Sequence, residues 1–174
     1  MELGGKSANI VFADAAIDQA IEGVINSIYF NQGHVCCAGS RLFVEESIHK
    51  PFLKKLKRRM AQLRIGNPLD KNTDIGAINS KEQLDKIKDL VAKGKEEGGE
   101  FYEADVTLPK EGHFHAPCFF DGVSAGHIIS KAEVFGPVLS ISTFRTPDEA
   151  IKKANDSEYG LAAGVWSEKG SKIH

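Results

Sequence analysis

Hydrophobic and polar positions along the chain follow two alternating rhythms. Short apolar runs at Ala8 to Phe12, Arg41 to Val44, Pro117 to Val123, Val138 to Phe144 and Ala162 to Trp166 read as strands. Between them, apolar residues recur every three or four positions. Ile17, Ile21, Val24, Ile25 and Ile28 predict a helix running to about Phe30, with Asp14 as its N-cap. A basic amphipathic helix is expected from Glu46 or Ser47 to about Leu63, its charges forming a solvated face. A third helix runs from Lys81 to about Glu97 and stops at Gly98-Gly99. Thr146-Pro147 starts a fourth, Asp148 to Ala154, and Glu168 to His174 begins another. Gly66-Asn67-Pro68-Leu69-Asp70 reads as a turn and residues 101–116 as irregular and hairpin-like. Strands alternating with helices call for parallel crossovers, hence an α/β fold: a three-layer domain built on a parallel sheet.

Length and composition narrow the class. The 174 residues suit one domain with a real core, and 41% hydrophobic with 26% charged residues is ordinary for a globular protein. A net charge of −2 gives no reason to expect nucleic acid or an anionic membrane as partner. No apolar run has transmembrane or signal-peptide character, which points to a cytoplasmic setting. The three cysteines, Cys36, Cys37 and Cys118, are an odd and sparse set, which fits a reducing compartment rather than a disulfide framework. The chain opens on a turn and closes on an unfinished helix, so it reads as a piece of a larger protein.

Three places could carry chemistry. Cys36 lies in a loop bracketed by Gly33 and Gly39, between a helix and a strand. A nucleophile gains there a rigid seat and backbone N–H donors for an oxyanion. The competing reading is a buried cysteine acting as a small hydrophobe. Glu2 stands between apolar Met1 and Leu3, where burial would raise its pKa toward that of a general base; the alternative is a frayed terminal residue. Glu133 and Phe135, followed by Gly136-Pro137, could present a carboxylate and an exposed ring to one ligand, or plug the core. His34 is too close to Cys36 in sequence to make a natural Cys–His pair, since near neighbours tend to point apart. The six histidines show no metal spacing, so no metal site is expected, and neither common glycine-rich phosphate loop occurs.

Taken together, the motifs resemble the aldehyde dehydrogenase superfamily over nearly the whole chain, from Glu2 to about Trp166. Glu2-Leu3-Gly4-Gly5-Lys6-Ser7 is similar to its glutamate motif. Phe30 to Arg41, reading FNQGHVCCAGSR, is similar to its cysteine motif, and Glu133-Val134-Phe135-Gly136-Pro137-Val138 to its cofactor-ribose motif. Cys36 lies 34 positions after Glu2, and Glu133 97 positions after Cys36, intervals the family shares. Gly66 to Asp70, Asp148 to Ile151 and Tyr159 to Ala163 extend the match. His34 stands where the family usually has glutamine, Ala132 where it often has glutamate, and Cys118 where it usually has threonine.

The resemblance implies an oxidoreductase that converts an aldehyde to a carboxylic acid with NAD or NADP, through a cysteine thiohemiacetal and thioester. It implies Cys36 as nucleophile and Glu2 as general base. It also implies Glu133 and Phe135 as contacts to the nicotinamide ribose, with Leu3 and Gly4 as backbone beside the nicotinamide. Residues 1–174 would then be the cysteine-bearing catalytic domain, without a Rossmann-like cofactor domain before it and an oligomerisation segment after it. The whole enzyme is expected to be a homo-oligomer, and the isolated chain to bind NAD weakly or not at all and to have little activity. Two other readings remain at this stage: a cysteine-dependent thioester or ester hydrolase, and a non-catalytic scaffold.

Overall fold

A computed structural model describes residues 3–173. Its centre is a six-stranded sheet of β1 (Ala8–Val11), β2 (Arg41–Glu45), β3 (Glu100–Glu103), β4 (Cys118–Asp121), β5 (Val138–Phe144) and β6 (Ala163–Trp166). The order is β3-β4-β5-β2-β1-β6; every neighbouring pair is parallel except β3 with β4. The helices are α1 (Ile17–Tyr29), α2 (His49–Met60), α3 (Lys81–Glu97), α4 (Ile128–Lys131), α5 (Pro147–Asn155) and α6 (Gly170–Ile173).

Strand alternation divides the core into two layers. Val11, Leu42, Val44, Phe119, Leu139 and Ile141 face α1 and α2, where they meet Val24, Ile25, Ile28, Phe52 and Leu56. The residues between them face the other way. Cys118, Phe120 and Val138 pack on Ile87 and Val91 of α3 and on Ile129 of α4. Ile10, Phe12, Phe43 and Phe144 pack near Ala150 of α5. Each fully buried aliphatic or aromatic side chain contributes roughly 1.5–3 kcal/mol relative to exposure, so both faces of the sheet are held. The three-layer α/β expectation is met.

The differences are local. Asp14 caps nothing: the α1 N-cap is Ala16, with no side-chain cap. Asp14 instead accepts from Lys172 Nζ at 2.6 Å and Ser167 Oγ at 2.8 Å, joining β1 to the last helix. The second helix is shorter than its apolar period suggests, because residues 46–48 form a separate 3₁₀ turn. The segment expected to be irregular begins with β3, whose Phe101 and Tyr102 lie against Phe120 and Phe119 of β4. Ser80 and Thr146 cap α3 and α5 by accepting from the N–H groups of Gln83 and Glu149. Among the described residues no helix is long and apolar enough to cross a membrane.

Candidate active site at the amino ends of the parallel strands

The three motifs share one topological property: each immediately precedes a parallel strand. Gly4 to Ser7 leads into β1, Cys36 to Ser40 into β2, and Glu133 to Pro137 into β5. Since β1 pairs with β2 and β2 with β5, all in parallel, the motifs must meet at one edge of the sheet.

The cysteine loop is strained and then pinned. After α1, Asn31 and Gln32 adopt left-handed backbone angles (φ 50° and 48°) and Gly33 follows at φ 78°. Such angles are uncommon outside glycine and asparagine and persist only where the surroundings hold them. Here Asn31 holds both sides of His34: its carbonyl accepts from the His34 N–H at 2.9 Å, and its amide donates to the His34 carbonyl at 3.1 Å. The Ala38 N–H then closes a turn onto Val35 O at 3.0 Å. Gly39 donates to both the carbonyl and the hydroxyl of Ser27 in α1. Cys36 lies half-buried inside that turn and Cys37 is exposed. Cys118 is fully buried in β4 and burial pushes its thiol pKa far up, so it is an inert packing residue.

The other two motifs close on this loop at backbone range. The Gly5 N–H donates to Glu133 Oε1 at 2.9 Å. A Cβ on Gly4, whose φ is +71°, would stand 2.7 Å from Glu133 Oε2, and a Cβ on Gly5 would stand 1.9 Å from the Cys36 carbonyl oxygen. Phe135 has φ +54°, rare for a bulky residue, and both its carbonyl and that of Val134 accept from the Gln83 side-chain amide at 2.9 Å. The Phe135 ring is not free in solvent, as its sequence context suggested. It is half-buried and lies parallel to the His34 imidazole, 5.1 Å between centroids and 2° between planes. Cys36, Glu133, Phe135 and Gly4 are thus brought together. Leu3 is 78% exposed at the rim. Glu2 lies outside the described residues.

Sequence reasoning missed several supports. Lys6 is 1% exposed and, among the described residues, its Nζ has no hydrogen-bond partner. Burial above all, helped by the Arg41 charge and opposed by Glu133, lowers its pKa to about 7. Arg41 donates to the carbonyls of Lys6 (2.7 Å), Lys153 (3.2 Å) and Ala154 (2.8 Å), tying the end of α5 to the strand edge. Gln83 reaches the site from a distant helix. A polar residue about halfway between the cysteine motif and the Glu133 motif carries no local sign of such duty. An open depression of about 590 Å³ between residues 61–73 and 105–109 contains none of the motif residues. A small cavity opens where the motifs converge, lined by Gly5, Gly33, Val35, Glu133 and Phe135. Among the described residues, no cluster of three or more His, Cys, Asp or Glu could hold a metal.

Comparison with known proteins agrees with this arrangement. The profile of the aldehyde dehydrogenase family matches residues 1–174. The chain belongs to the aldehyde dehydrogenase family. It is 43% identical over 167 residues to retinal dehydrogenase 2 of Rattus norvegicus, covering 96% of this chain and 32% of that protein. To cytosolic aldehyde dehydrogenase 1 of the same species it is 45% identical over 167 residues, covering 96% and 33%. Among solved structures, an NAD-dependent aldehyde dehydrogenase from Sinorhizobium meliloti superimposes with a TM-score of 0.94 at 40% identity, covering 98% of this chain and 34% of that one. A variant indole-3-acetaldehyde dehydrogenase of P. syringae, solved with NAD⁺, gives 0.93 at 43% identity, covering 98% and 35%. The chain therefore spans about a third of the length of these aldehyde dehydrogenases.

Proposed function

We propose that residues 1–174 form the cysteine-bearing catalytic domain of an enzyme that oxidises an aldehyde to a carboxylic acid with NAD(P)⁺, Cys36 being the nucleophile. The observation that carries this reading is the backbone closure of the three motifs, with Gly5 against the Cys36 carbonyl and its N–H on Glu133.

The Cys36 thiolate attacks the aldehyde carbon, forming a C–S bond and moving the carbonyl electrons onto oxygen. The N–H of Cys36 itself serves as one donor to that oxyanion. When bound, NAD(P)⁺ supplies the acceptor for the hydride that leaves the adduct, so that a thioester remains on Cys36. Glu2 then takes a proton from water as it attacks the thioester carbon; the C–S bond breaks, and the carboxylate departs from a regenerated thiolate.

The residues present fit the nicotinamide end of the cofactor. Glu133 is turned toward Gly4 and Gly5 by one hydrogen bond, which leaves carboxylate lone pairs to accept from ribose hydroxyls, and Phe135 offers an apolar ring beside them. Relatives solved with NAD⁺ support NAD as a cofactor of this fold. The pyrophosphate and adenine would rest on a separate cofactor domain, so the isolated chain binds NAD weakly and turns over slowly. The whole enzyme is a cytoplasmic homo-oligomer. A hydrolase reading is less well supported, because the His34 ring, the histidine nearest Cys36 in sequence, is stacked on Phe135.

The test is kinetic. In the whole enzyme, Cys36→Ser should abolish aldehyde oxidation. Glu2→Gln should slow deacylation about 10²–10⁴-fold while an initial burst of NADH persists. Near-normal turnover of Cys36→Ser, or burst and steady rate falling together in Glu2→Gln, would refute the assigned roles.

A further inference from the structure

The pairing of His34 with Phe135 is not needed to hold the fold, since both residues are only half-buried and each sits in a loop with its own anchors. His34 is fixed by Asn31 at its N–H and carbonyl, and Phe135 by Gln83 at its carbonyl. The two loops are also locked together by backbone: a Cβ on Gly33 would stand 2.2 Å from the Gly136 carbonyl oxygen. The side chains at 34 and 135 therefore cannot slide past one another. What the stack adds is a fixed choice among the staggered χ1 rotamers of the Phe135 ring.

The imidazole is built for stacking rather than for polar work. Its Nε2 is buried and has no hydrogen-bond partner among the described residues, and burial holds its pKa below the ordinary histidine value, so a neutral ring faces Phe135 at neutral pH. A centroid distance of 5.1 Å with planes 2° from parallel is an offset stack, the favoured arrangement for two flat rings.

We propose that His34 is a positioning residue: its ring fixes Phe135 in the pose that receives the nicotinamide ribose, coupling the Cys36 loop to the cofactor loop. The coupling rests on the assignment of Phe135 to the cofactor given above. It makes the residue two positions before the nucleophile a determinant of cofactor affinity rather than of bond making.

The experiment is a set of three substitutions in the whole enzyme, read as KM for NAD⁺ against kcat. His34→Ala should raise KM about 2- to 10-fold, the range expected for loss of one aromatic pair, with a smaller change in kcat. His34→Phe, which keeps a flat ring and removes the imidazole nitrogens, should restore KM to within about 2-fold of the parent. Phe135→Leu should raise KM at least as much as His34→Ala. If Phe135→Leu raises KM and His34→Ala does not, or if His34→Phe is as impaired as His34→Ala, the positioning role is wrong while the cofactor assignment stands. If Phe135→Leu leaves KM unchanged, the cofactor assignment fails and the positioning role falls with it. Should the alanine variant not fold, NMR of the unsubstituted protein decides. His34 ring protons should show upfield ring-current shifts that Phe135→Leu abolishes, and ordinary histidine shifts would overturn the proposal.

Discussion

The two ends of the same three strands are built by different means. At the amino ends of β1, β2 and β5 the chain is held by backbone in close contact and in rare conformations: Gly4, Asn31, Gln32, Gly33 and Phe135 all have positive φ. At the carboxyl ends the work is done by side-chain carboxylates near solvent. Glu45 accepts from the Ala13 N–H at 2.8 Å, Asp14 binds Lys172 and Ser167, and Glu46 pairs with Arg145 at 2.8 and 3.0 Å. Open α/β sheets usually place ligands beyond the carboxyl ends of their strands. In this domain those ends are tied off by ion pairs, and the strained backbone, the half-buried thiol and the buried lysine all lie at the other end. The lesson is that the three motifs converge where the backbone strain lies, and not at the end where the general topological rule would place a ligand.

The comparison predicts a gradient of cost, steepest at the amino-end edge. Gly5→Ala should be the most damaging, because its Cβ would stand 1.9 Å from a backbone oxygen that belongs to the Cys36 turn. A loss of about 3 kcal/mol or more is expected in urea unfolding, since overpacking against backbone cannot relax by a rotamer change. Gly160→Ala, with nothing within 4 Å, is the matched control and should be near neutral. Equal costs at the two positions would break the comparison.

Lys6 sharpens it through pH. Its folded pKa of about 7 lies below the ordinary 10.5, so the unfolded chain binds more protons between those values and stability rises with pH across that window. Above about pH 9 the effect is opposed by Cys118 and Tyr29. Burial raises both of their pKa values, so they ionise more readily when unfolded. Between pH 7 and 8.5 the parent should therefore gain stability, by up to about 2 kcal/mol, relative to Lys6→Met. Parallel pH profiles for the two proteins would show that Lys6 is not the buried cation described.

The smallest effect belongs to the carboxyl-end edge. Arg145 is 75% exposed, and its pair with Glu46, though bidentate, is screened by solvent. Arg145→Gln should change stability by at most about 0.5 kcal/mol in the same unfolding assay. A larger loss would mean that the two ends are not built as differently as the geometry shows.

Much of the strand and helix order was legible because buried apolar runs and three-four spacing are local signals. The cysteine loop was legible for a similar reason: its glycines, polar turn residues and thiol are contiguous in sequence. What stayed hidden depends on contacts between distant segments. β3 is four residues of Glu-Phe-Tyr-Glu, too short and too polar to announce itself, and it exists because its rings reach Phe119 and Phe120. Asp14 had the identity of a cap but was drawn to Lys172, 158 residues away. Lys6 looked like a turn residue in water. It is buried at the strand edge, where Arg41 donates to its carbonyl. Neither Gln83 nor the stack at His34 could be read from its own neighbourhood.

The central claim, that the chain's chemistry passes through a thioester on Cys36, is tested most directly by trapping that species. The whole enzyme carrying Glu2→Gln, mixed with aldehyde and NAD⁺, quenched in acid and digested, should yield a Cys36 peptide heavier by the acyl group of the substrate. The adduct should disappear with Cys36→Ser and be released by hydroxylamine. An acyl group found on Cys37 instead, or no covalent adduct while NADH still forms, would contradict the account.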